Sequence, residues 1–149
     1  MHTIILSLHN VFRWVCLAII AYVVFKSFTG WMSNREWSNK DEKMLLIGTI
    51  AVDVQFLLGL ILYFFLSPIT KINFKEFKTI VTDPTLRFFV LEHSFTMFLV
   101  TVFIHLAKIM YKKKKIIYAR YRTIFFYYSL SLVAILIGIP WFRPLIPGL

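Results

Sequence analysis

Residues 4–27 read IILSLHNVFRWVCLAIIAYVVFKS, and this stretch decides the fold. A helix needs roughly 20 mainly apolar residues to cross the hydrocarbon core of a bilayer. Three more stretches meet that length: 44–67 (MLLIGTIAVDVQFLLGLILYFFLS), 87–110 (RFFVLEHSFTMFLVTVFIHLAKIM) and 123–140 (TIFFYYSLSLVAILIGIP). The chain therefore reads as an all-α integral membrane protein, one domain over residues 1–149 folded as an up-down bundle of four transmembrane helices. Composition excludes a soluble globule. Charged residues make up 16% and hydrophobic ones 59%, with a mean hydropathy of +0.74, whereas soluble domains carry about a quarter charged residues.

The first stretch does not read as a cleaved secretion signal. It lacks a basic start, Arg13 interrupts the apolar run, and no small-residue cleavage site follows. Cys16, the single cysteine, has no internal partner for a disulfide and is expected to be a small core residue.

Basic residues set the expected orientation. Lys26, Arg35, Lys40, Lys43, Lys108, Lys112, Lys113, Lys114, Lys115, Arg120 and Arg122 fall on the side opposite the N-terminus. Lys71, Lys75, Lys78, Arg87 and Arg143 fall on the N-terminal side, with Arg13 embedded. Short basic loops stay in the cytoplasm, so the chain is expected to place both termini outside, in a bacterial inner membrane. The basic loop 108–122 is expected to meet anionic lipid. No aromatic or glycine-rich RNA motif adjoins it, and no nucleic-acid partner is expected. Trp31, Trp37 and Trp141 fall at the two interfaces, where amphipathic rings favour the headgroup level.

The outer connection, Ser67 to Leu86, carries its own pattern. Phe74, Phe77 and Val81 share one helical face and Lys71, Lys75 and Lys78 another. This predicts a short amphipathic helix on the outer surface between helices 2 and 3. Asp83 and Pro84 then form a cap and first-turn pair for the third membrane helix.

Two histidines point to chemistry. At 1.5 Å per residue, His9 lies roughly 8 Å below the outer start of its helix and His93 roughly 9 Å below the same surface. The first and third helices enter from the same side, so the imidazoles are level. Facing helices of a bundle build cofactor sites from inward side chains, and two level imidazoles fit the axial positions of one haem iron. His105 lies roughly 18 Å further along its helix with no histidine to match it, and is expected to be a hydrogen-bonded bundle residue.

Polar neighbours extend the site. Arg13 is one turn below His9, with its guanidinium tilted back toward it. Arg87 and Arg143 lie on the same side, and all three arginines suit carboxylates such as haem propionates. Glu92 is placed to pair with one of them or to orient a histidine. Gln55 and Gly59 are one turn apart on the second helix, and the glycine admits close approach of a flat macrocycle or a backbone. Asp53, near mid-helix, reads as a proton-relay group, a quinone contact or an ion-pair partner for Arg13. Helix packing alone also accounts for Asp53, Gln55 and Gly59.

The segments His9-Asn-Val-Phe-Arg13-Trp14, Gln55-Phe-Leu-Leu-Gly59-Leu-Ile-Leu-Tyr63-Phe, Arg87-Phe-Phe-Val-Leu-Glu92-His93 and Ile139-Pro140-Trp141 together resemble the small four-helix membrane proteins of the bacterial cytochrome b-like family. The resemblance spans essentially the whole chain. It implies one b-type haem, axial ligation by His9 and His93, and membrane electron transfer. Larger bundles of this kind hold two haems on four histidines, and this chain lacks the second matched pair. Two functions stay open: a haem b electron carrier or anchor subunit working with a quinone, and a haem-free scaffold in a larger membrane complex.

Overall fold

The computed structural model describes residues 1–70 and 76–141. Four long helices dominate: α1 (His2–Met32), α2 (Asn39–Leu66), α4 (Pro84–Lys112) and α5 (Ile117–Gly138). A short helix, α3 (Phe77–Thr82), lies between α2 and α4. All four long helices are long and apolar enough to cross a membrane.

α2 and α4 begin ahead of their apolar stretches because polar groups outside those stretches fix their starts. At the start of α2, the Asp41 carboxylate reaches back to accept from the Ser38 backbone N–H (3.0 Å) and hydroxyl (2.6 Å). It also pairs with Arg35. This capping arrangement starts α2 at Asn39, five residues before the apolar run at Met44. Asp83 caps α4 as expected, accepting from the N–H groups of Thr85 (2.8 Å) and Leu86 (3.0 Å), with Pro84 in the first turn.

Of the predicted surface helix, α3 is what the described residues contain; Lys71, Phe74 and Lys75 lie outside them. Phe77 and Val81 are exposed, and the residue that α3 buries is Ile80. The predicted apolar face is therefore the outward one, and a position one step round the helix provides the anchor.

α1 packs against α2 and α5, and α4 packs against α5 and α2. The helices close a ring whose α2–α4 seam is the thinnest of the four. One end of the bundle is sealed by aromatic rings. Trp37 stacks on Tyr111 (centroids 5.2 Å) and lies 5.1 Å from Tyr121. Tyr111 also hydrogen-bonds Glu42, and Tyr121 donates to the Glu36 carbonyl (3.1 Å). Gly30 admits this ring: a Cβ there would lie 2.6 Å from Cε1 of Tyr121. Midway, Val23, Gly48 and Tyr128 interlock α1, α2 and α5. Cys16 is a buried core residue, as its setting in the sequence implied.

The opposite end is built differently. The last turn of α2, Leu62–Leu66, and the stretch Phe88–Glu92 of α4 are π-helical. Such wide turns occur mainly as single inserts and often at functional sites. In α4 the insert immediately precedes His93, and the Ser94 hydroxyl donates to the Phe89 carbonyl (2.8 Å) within it. Counting His93 at a uniform α-helical rise and phase therefore misses a local unwinding. The two inserts are tied together by Tyr63, whose hydroxyl donates to the Val90 carbonyl at 3.1 Å.

Candidate cofactor site

A cavity of about 1080 Å³ opens at this second end, between α1, α2, α4 and the end of α5. It lies at the top of the roughly 300–1,000 Å³ range of small-molecule and cofactor pockets. Its walls are mostly apolar, with a few polar side chains from three helices: His9, Asn10 and Arg13 of α1, Gln55 of α2, and Glu92 and His93 of α4. Gly59, Cys16 and His2 also line it.

His9 and His93 face each other across the helices, ring centroids 6.5 Å apart and planes 75° apart. Each ring is held by a backbone or amide contact. Nδ1 of His93 lies 2.7 Å from the Gly138 carbonyl oxygen. A carbonyl only accepts, so Nδ1 carries the proton and Nε2 keeps a free lone pair. The Gln55 amide donates to the His9 carbonyl (3.0 Å), and its nitrogen lies 3.4 Å from Nε2 of the same residue. That contact makes Nε2 of His9 the acceptor nitrogen as well. Gly59 makes the room: its virtual Cβ would sit 3.4 Å from Cε1 of His9. The group that approaches Gly59 closely is thus an imidazole.

Arg13 is the electrostatic centre of the cavity. It is 8% exposed, its guanidinium lies 5.2 Å from the Trp14 ring, and its Nε and Nη2 find no hydrogen-bond partner among the described residues. Nδ1 of His9 and Oε1 of Gln55 are likewise buried and unpaired there. Buried polar groups are nearly always paired, and each unpaired one costs about 1–3 kcal/mol. Four such atoms belong to residues that line this cavity, on Arg13, His9 and Gln55.

The remaining predicted residues separate from this cluster. Arg87 stays near the rim, paired with Glu92 at 2.8 Å with both side chains about half exposed. Glu92 therefore compensates Arg87 and does not orient a histidine. Arg143 lies outside the described residues. Asp53 does not pair with Arg13; its carboxylate is 3.7 Å from Nε2 of His105. His105 donates through Nδ1 to the Thr101 carbonyl (3.0 Å). It is hydrogen-bonded within its helix as expected, and its side chain lies on the outer surface, 47% exposed. The carbonyl of Gly138 and the π-helical turns were not visible in residue types: a main-chain oxygen has no signature in sequence.

A set of three or more His, Cys, Asp or Glu side chains able to enclose a metal ion does not occur among the described residues. A two-imidazole site is a different arrangement, in which a macrocycle supplies the other donors. No family model, curated protein or solved structure matches the chain.

Proposed function

We propose that this protein binds one b-type haem through His9 and His93 and carries electrons between a membrane quinol and a partner at the outer face. The observation that carries the reading is the imidazole pair. The two rings come from facing helices with centroids 6.5 Å apart, close enough that one bound group would meet both. His93 presents an Nε2 lone pair, and that of His9, 3.4 Å from the Gln55 amide nitrogen, would be released to a metal by a turn of that amide. Ligand histidines characteristically donate the other ring N–H to a carbonyl or carboxylate, which fixes tautomer and ring angle, and the Gly138 carbonyl does this for His93.

The other residues take supporting roles. Arg13 would bind a haem carboxylate, Gln55 holds His9 in place, and Gly59 keeps its ring space clear. The apolar walls exclude water and, with the axial ligands, set the potential. The haem itself would supply one-electron exchange at its iron. With the site near one end of the bundle, we place that end outward, both termini outside and the 108–122 loop on anionic lipid in the cytoplasm, in a bacterial inner membrane. One haem near the outer face serves transfer at that face and not a full crossing.

Reduced-minus-oxidised spectra of the protein purified in mild detergent from haem-replete cells test this. A b-type band is expected, abolished in His9→Ala and in His93→Ala and kept in His105→Ala. A colourless wild-type protein overturns the reading and leaves the scaffold of a larger complex in its place.

A further inference from the structure

The Asp53–His105 pair is a strongly polar feature on the outer face of the α2–α4 seam. The side chains are 40% and 47% exposed, with Asp53 Oδ1 3.7 Å from His105 Nε2. Around them the surface is apolar: Ile50 and Leu57 on α2, Phe98 and Ile109 on α4, all exposed by half or more. All six residues lie within the two candidate membrane spans. Ionisable side chains inside a membrane almost always face a bundle interior or a cavity and are paired. Lipid tails cannot meet an acid and a base left half open.

We propose that this face is the interface of a homodimer in the membrane, in which Asp53 of each protomer meets His105 of the other. The argument is charge complementarity under symmetry. Two copies inserted the same way up are related by a twofold axis along the bilayer normal, which gives an isologous contact. Such an axis beside the α2–α4 seam sets α2 of one copy against α4 of the other. The acid sits on α2 and the base on α4, and their 3.7 Å separation puts them at one depth. Each acid therefore finds a base, twice, and at this depth no two like charges are opposed. The thin α2–α4 seam leaves a shallow groove between the helices for the partner's apolar side chains. Lys43, Lys108 and Lys112 rim the same face at its far end, and their long stems let the ammonium groups splay away from the axis toward headgroups. The inference is independent of what the cavity binds.

The test is self-association of the full chain in lipid bilayers, read by energy transfer between donor- and acceptor-labelled protein across protein-to-lipid ratios. Wild type is expected to dimerise, and Asp53→Ala and His105→Ala each to associate about tenfold more weakly. The decisive arm mixes the two variants. A heterodimer keeps one cross pair, between His105 of one variant and Asp53 of the other, although neither protomer keeps its internal pair. The mixture should therefore associate more tightly than either variant alone. A wild type that stays monomeric, or a mixture no tighter than the separate variants, overturns the proposal. If either alanine variant loses helicity by circular dichroism, Asp53→Asn and His105→Gln replace them in the same design.

Discussion

Nδ1 of His93 lies 2.7 Å from the carbonyl oxygen of Gly138, the last residue of α5. This contact joins two helices at the level of the cavity and decides which ring nitrogen faces it. It also makes the ring a separable part: the carbonyl stays in place when the imidazole is removed. His93→Gly is therefore expected to lose the haem spectrum and to regain it when free imidazole is supplied at millimolar concentration. His9→Gly should behave the same way. Failure of imidazole to restore a spectrum in either variant, where wild type shows one, argues against axial ligation by that residue.

Gly59 gives a graded test of the space around His9. A Cβ at this position would make an ordinary contact with the imidazole, 3.4 Å from Cε1. Gly59→Ala is therefore expected to keep haem with little change in affinity. Gly59→Leu must push the ring aside, and loss of the haem band with the helical circular dichroism intact is expected. Equal behaviour of the two variants would mean that the ring is not seated against α2.

At the other end of the bundle, Gly30 of α1 lies against the Tyr121 ring of α5. A methyl group there would lie 2.6–2.8 Å from three ring atoms of Tyr121, and that ring is fully buried and hydrogen-bonded to the Glu36 carbonyl. The ring has no room to retreat. Gly30→Ala is expected to destabilise the protein by about 1–3 kcal/mol, the usual range for overpacking, measured by detergent-denaturation midpoint. The haem spectrum should be unchanged in the folded fraction, because His9 lies about twenty residues of helix away from Gly30, roughly 30 Å.

The same two ends show what was legible in sequence and what was not. Helix count and the gathering of His9, Arg13, Gln55, Gly59 and His93 follow from apolar run lengths and depth, because rise per residue is nearly constant along a helix. Depth is blind to rotation. Asp53 and Arg13 were plausible partners by level, yet Asp53 faces outward toward His105. Rotation around the bundle axis depends on packing between helices, and α2 has a weak apolar stripe because nearly all of its middle is apolar. The pairing of Arg87 with Glu92 was legible only as one option, since a five-residue spacing meets across a π-helical insert that the sequence does not announce. The aromatic seal of Trp37, Tyr111 and Tyr121 escaped notice for a simpler reason: in a chain this rich in aromatics, no single ring stands out.

Arg13 gives the sharpest test, because its two expected effects have opposite signs. Its guanidinium is buried, with Nε and Nη2 unpaired among the described residues. An uncompensated buried charge is costly, so Arg13→Leu should raise the thermal stability of the haem-free protein. If haem binds as proposed, the same change would remove a charge-assisted contact to a haem carboxylate. Hydrogen bonds to charged groups are worth about 1.5–3 kcal/mol, which corresponds to a loss of roughly ten- to a hundred-fold in haem affinity. Titration of the apoprotein with haem and with its dimethyl ester separates this from general damage to the pocket. The ester has no free carboxylate, so wild type and Arg13→Leu should bind it with similar affinity. A variant that weakens haem and ester equally would assign Arg13 to the architecture of the cavity and not to its ligand.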